Sequence, residues 1–204
     1  MEEDYQEIIW NEYIKRISNG DYEGVRELMN QFAIDINTVD SKGRSLLHVA
    51  VSRNHIHIVR LLLENGIDTT LADVNKNTAL HLATINGYSS IVSMILEYNS
   101  LTNVNVVIAD KNNNSPFELA ISRLKRSIES SKTNSISPSD RLNQISEMVY
   151  DLAQYIHQHL GPNHPYTIKI YSTIDRLKQL EQIKDTVDNK QVDEIQDLLS
   201  GLSF

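Results

Sequence analysis

Apolar positions recur at helical spacing in segment after segment, with polar breaks between them. His57-Ile-Val-Arg-Leu-Leu-Leu63 and Ser90-Ile-Val-Ser-Met-Ile-Leu96 each write one apolar helix face. Further on, Ile145, Met148, Val149, Leu152 and Ile156 trace the face of a longer helix that runs to about Leu160. Its start is marked by Ser137-Pro-Ser-Asp140, with a hydroxyl cap, proline in the first helical position and an acid at the third. The stretch 129–137 before it is low in apolar content and reads as a mobile insert. Gly161-Pro-Asn-His-Pro165 breaks the long helix, another is expected from about Tyr166 to Ile183, and a last one from roughly Asn189 to Leu202. The pattern predicts an all-α chain.

These helices come in repeated pairs. Asp40-Ser-Lys-Gly-Arg-Ser-Leu-Leu-His48-Val-Ala50 is echoed by Asp73-Val-Asn-Lys-Asn-Thr-Ala-Leu-His81-Leu-Ala83 and again by Asp110-Lys-Asn-Asn-Asn-Ser-Pro-Phe-Glu118-Leu-Ala120. The spacing is 33 residues from His48 to His81 and 37 from His81 to Glu118. A weaker upstream copy is visible in Asn19 to Met29, with Tyr5 to Ser18 as its first helix. Ser45, Thr78 and Ser115 stand where a hydroxyl caps a helix, and Pro116 occupies a first turn, where a missing N–H costs little. Gly43 sits where the turn calls for positive φ; Lys76 and Asn113 replace it later, asparagine tolerating that conformation and lysine resisting it.

At these residues the chain resembles the ankyrin-repeat family, whose repeat carries Asp-x-x-Gly-x-Thr-Pro-Leu-His-x-Ala followed by an Ile/Val-Val-x-x-Leu-Leu helix. No such unit buries its apolar face alone, so units are expected to stack into a solenoid. About four are expected over 1–160, near 5–39, 40–72, 73–109 and 110–160, the first and last degenerate, followed by a C-terminal helical extension over 161–204. Leu47, Leu80, Ala50, Ala83, Leu62 and Ile95 are the expected core. The extra residues of the third unit fall in 99–106, where they are expected to lengthen the fingertip loop.

The resemblance also implies a use, the binding of another protein along a concave face lined by fingertips and by residues late in each first helix. Here those are Ser41, Lys42, Arg44, Ser52 and Arg53; Val74, Asn75, Asn77, Ile85 and Asn86; Lys111, Asn112, Asn114, Ser122 and Arg123. Five of these are basic and none is acidic, in a chain of formal charge -8. An acidic partner segment is therefore expected. The resemblance makes His48 and His81 hydrogen-bonding braces between neighbouring turns, not catalysts.

Composition removes other classes. Without cysteine there is no disulfide, thiolate zinc site or cysteine nucleophile. The acidic balance argues against general nucleic-acid binding, and no run approaches the roughly 20 apolar residues of a membrane span. The acidic start is unlike a secretory signal, so a cytoplasmic, and also nuclear, location is expected. No phosphate loop, HExxH or GxSxG occurs, and no enzyme activity, cofactor or metal is expected. His55 with His57, and His157 with His159, are spaced two apart, with His164 near the second pair, where helical ligand pairs sit at three or four. Pro162-Asn-His-Pro165 spells a PxxP ligand for an SH3 domain, but reads better as a tight turn between helices.

Over the final helix, Ile195, Leu199, Leu202 and Phe204 form a stripe among acids that resembles a leucine-rich nuclear export signal, which lies in a groove of an export receptor. From about residue 40 to the end, and most closely over 188–204, the chain is similar to the Lyn-interacting ankyrin-repeat adaptors. That family shuttles between nucleus and cytoplasm and binds SH3 domains of Src- and Tec-type tyrosine kinases. Its basic N-terminal import signal has no counterpart in Met1-Glu2-Glu3-Asp4. The expected function is a signalling adaptor that sets its partner's nucleocytoplasmic location; the alternative is a constitutive subunit of a larger assembly, its last helix buried.

Overall fold

The computed structural model describes residues 2–32, 35–102, 104, 107–130 and 139–184. Nine helices cover most of them: α1 Glu2–Ser18, α2 Tyr22–Gln31, α3 Leu46–Ser52, α4 Ile56–Glu64, α5 Ala79–Asn86, α6 Ser89–Thr102, α7 Pro116–Ser130, α8 Ser139–Leu160 and α9 Pro165–Lys184. A single antiparallel bridge, Ala72 with Thr78, is the only β pairing among the described residues. The all-α expectation holds.

The chain divides into two compact units, Met1–Ala120 and Ile121–Phe204. In the first, α1 packs on α2, α3 on α4 and α5 on α6; along the stack, α1, α3 and α5 form one row, and α2, α4 and α6 the other. Each helix is placed by its apolar stripe. Ile9, Tyr13 and Ile17 recur every four residues along α1 and are buried, as are Val25 and Leu28 on α2. All six expected core residues, Leu47, Leu80, Ala50, Ala83, Leu62 and Ile95, are buried. Burying one such leucine stabilises the fold by about 2 kcal/mol.

One local expectation is corrected. The four extra residues of the third repeat do not go into a longer fingertip, because α6 itself runs on to Thr102. In the second repeat α4 stops at Glu64 and Gly66 takes φ 78°, a left-handed turn that ends the helix. One period later the residue is Asn99, which stays helical and buried and accepts a 2.6 Å hydrogen bond from Thr69 Oγ1. Without the terminating glycine the helix continues for another turn.

In the second unit α8 and α9 pack together. The residues expected on the inner face of α8, Ile145, Met148, Val149, Leu152 and Ile156, are all buried, and Ile170 and Ile174 are buried on α9. Gly161 ends α8 at φ 81°, and Pro165 is the first residue of α9. The PxxP run is thus a turn followed by a helix N-terminus. Glu129 and Ser130 of the expected insert belong to α7. The rest of that insert, the final helix and its stripe Ile195, Leu199, Leu202 and Phe204 lie outside the described residues.

Candidate protein-binding surface

Three fingertip turns are built to one plan by an aspartate. Asp40 Oδ1 accepts the backbone N–H of Lys42 and of Arg44, each at 2.9 Å. Asp73 Oδ1 does the same for Asn75 at 2.8 Å and Asn77 at 2.9 Å, and Asp110 Oδ1 for Asn112 at 2.8 Å and Asn114 at 2.9 Å. The residue three beyond each aspartate must take positive φ to close the turn: Gly43 at 72°, Lys76 at 59° and Asn113 at 63°. Burial acts to raise the Asp40 and Asp110 carboxyls. The donated N–H groups outweigh it, helped at Asp40 by the Arg44 guanidinium and at Asp110 by the Asn114 amide, and hold both below the ordinary carboxylate value.

Neighbouring fingertips are tied backbone to backbone. Val74 N–H donates to Lys42 O and Lys111 N–H to Asn75 O, both at 2.9 Å. Behind each tip the next helix is capped. Ser45 N–H donates to His48 Nδ1 at 3.1 Å, and the Ser45 hydroxyl oxygen receives His48 N–H, which closes a capping box. With Nδ1 an acceptor, Nε2 carries the proton and donates to Asn77 O of the next finger at 2.9 Å. The expected brace is therefore present at His48. Thr78 and His81 repeat the capping box, but among the described residues the buried His81 Nε2 makes no well-formed hydrogen bond, and the nearby Asn114 and Ile108 carbonyls only favour its charged form. At the fourth copy Glu118 replaces the histidine and accepts Ser115 N–H at 2.6 Å. Burial lowers the pKa of both histidines, and nearby carbonyls and aspartates only partly offset it.

The fingertip residues Ser41, Lys42, Arg44, Val74, Asn75, Lys111 and Asn112 are exposed, while Asn77 and Asn114 are half-buried. On the helices Ser52, Arg53, Ile85 and Asn86 are exposed in the first unit. Ser122 and Arg123 belong to the second unit, exposed and half-buried respectively. Arg44 is already engaged, its Nη2 lying 2.7 Å and its Nε 2.8 Å from Asp40 Oδ2. Lys42, Arg53 and Lys111 form no ion pair with a described residue.

One residue absent from the expected surface borders it. Trp10 lies on α1 one position after Ile9, off the buried stripe, and lines a cleft of about 440 Å³ with Gln6, Glu7, Asn11 and the loop Thr38-Val39-Asp40-Ser41. A lone tryptophan one step off an apolar stripe was the available signal. A second depression, about 410 Å³, lies on the outer row among Tyr22, His57, Arg60, Leu61 and Glu64. Among the described residues no three His, Cys, Asp or Glu gather as metal ligands, and no helix is long and apolar enough to cross a membrane.

Residues 14–110 match the family model for ankyrin repeats, in three copies. Comparison with curated proteins gives no match. Proteins made of these repeats typically bind other proteins and are typically not enzymes. On that match, and on the paired helices with their clamped fingertips, the segment 14–110 is similar to an array of ankyrin repeats, a kind of repeat that generally mediates protein–protein interaction.

Proposed function

We propose that the chain is an adaptor whose fingertips and first-row helices hold an acidic segment of a signalling protein, and that it governs that partner's nucleocytoplasmic location. The observation that supports this is a segregation of charge within each finger. Asp40, Asp73 and Asp110 turn inward to accept backbone N–H groups, whereas Lys42 and Lys111 stand exposed on tips tied together at 2.9 Å, with Arg53 behind them. An acidic chain therefore offers a basic recognition surface. Of the fifteen residues named above, the thirteen of the first unit are its proposed lining; the proposed domain bounds are a repeat domain over 1–160 and an extension over 161–204.

The similarity to shuttling adaptors adds that the partner is a tyrosine kinase engaged through its SH3 domain, and that Ile195, Leu199, Leu202 and Phe204 dock in an export receptor, so that the protein moves between nucleus and cytoplasm. Affinity capture from cell lysate tests both halves, comparing wild type with Arg53→Glu/Lys111→Glu and with Leu199→Ala/Leu202→Ala. The first variant is expected to lose the signalling partner alone, by about tenfold or more and in a salt-dependent way, and the second the export receptor alone. Retention of every partner by both variants removes the proposal and leaves the chain a constitutive subunit. Arg44 is left intact, since its loss would disturb the Asp40 clamp.

A further inference from the structure

The cleft at Trp10 joins two elements that the first two repeats bring together, α1 and the loop leading into the first clamped finger. Its lining is polar apart from Trp10, which is half-buried, and Val39, which is 42% exposed. Two acids face it. Asp40 is already saturated by two backbone N–H groups and the Arg44 guanidinium. Glu7 is exposed and forms no ion pair with a described residue, one helical turn before Trp10 on the same helix. In α1 no basic residue precedes Lys15, whereas Glu2, Glu3, Asp4 and Glu7 all do.

A hydrocarbon side chain seated there would gain contact with Trp10 and Val39 but would cover Glu7 and strip water from its carboxylate without supplying a hydrogen bond. A guanidinium or ammonium group would meet the Trp10 indole, whose π system attracts cations, and a carboxylate able to accept its hydrogen bonds. We infer that the Trp10 cleft receives an arginine or lysine side chain of the bound partner segment, with Glu7 as its counter-charge. This deepens the reading of the fingertip surface and rests on a partner segment crossing it: that segment is acidic where it meets Lys42 and Lys111 and carries one basic residue where it passes α1.

Trp10 is the chain's one tryptophan, so its fluorescence reports on this cleft alone. The full chain is titrated at low salt with three blocked tripeptides, Gly-Arg-Gly, Gly-Leu-Gly and Glu-Glu-Glu, the last followed by calorimetry. The arginine peptide is expected to give a saturable change in emission that the leucine peptide does not, and Glu7→Gln, an exposed and isosteric change, to weaken it about fivefold or more. Equal response to the leucine peptide, or an unchanged constant in Glu7→Gln, overturns the inference. If the triglutamate peptide binds through Lys42 and Lys111 while the arginine peptide leaves Trp10 unmoved, the cleft assignment falls and the acidic-partner reading stands. The reverse result keeps the cleft and removes the acidic partner.

Discussion

The second and third repeats share a fold and differ in how firmly each grips its successor. Both cap their first helix with a hydroxyl and a histidine, and both pass a 2.9 Å backbone bond from one fingertip to the next. His48 adds a further link to its successor, from Nε2 to Asn77 O, while among the described residues the same atom of His81 is buried without a partner. The difference separates two jobs that one residue type performs. Capping is local and survives in the second, third and fourth copies, as Glu118 in the last; bracing depends on where the next finger falls.

The largest test of that distinction is His48→Ala, expected to lower stability by about 3 kcal/mol through lost packing, cap and brace. His81→Ala should cost about 1 kcal/mol less, the worth of one buried hydrogen bond, and urea unfolding of both variants measures the gap. Equal losses would mean that the brace contributes nothing. The same pair can be probed without mutation. Both folded-state pKa values lie below the unfolded histidine value of about 6.5. Below that value the unfolded chain therefore takes up more protons than the folded one. Their contribution is whole above about pH 6.5 and falls as pH drops toward the folded-state values. Thermal melting should show this loss, reduced in the double variant His48→Gln/His81→Gln.

Next in size is the turn residue. Gly43→Ala should destabilise by about 1–2 kcal/mol, since φ is positive and a methyl there would stand 3.0 Å from Ala72 O. Lys76→Gly relieves the matching position of the third repeat and should gain about 0.5–1 kcal/mol, read as a higher melting temperature. Smallest is Tyr13→Phe. The Tyr13 hydroxyl is buried with no partner among the described residues, and burial alone raises its pKa, so its removal should leave stability unchanged or slightly higher, by about 0.5 kcal/mol at most.

The fold was legible because its signals are local and periodic. A hydroxyl before Leu46, Ala79 and Pro116 announced three helix starts, and four-residue spacing announced the core of α8. The fate of the extra residues near Asn99 was not, because the deciding feature is an absence: no glycine stands where Gly66 ended the preceding outer helix. The candidate surface was legible in outline only. Sequence counted Arg44 among the basic residues of the surface, whereas Asp40 Oδ2 holds it through both Nε and Nη2, and that pairing depends on the path of the turn. Trp10 escaped for a similar reason, since its significance lies in the loop 38–41 that folding brings beside it.

The aspartate clamps carry a consequence for how such a surface changes over time. Each fingertip is fixed by one carboxylate, backbone amides and a left-handed residue, so the side chains at Ser41 and Lys42, Val74 and Asn75, or Lys111 and Asn112 take no part in holding its shape. Replacing them alters what the finger says without altering how it stands. A lineage, or a protein engineer, can therefore rewrite the partner preference of this face one tip at a time while the scaffold beneath stays the same.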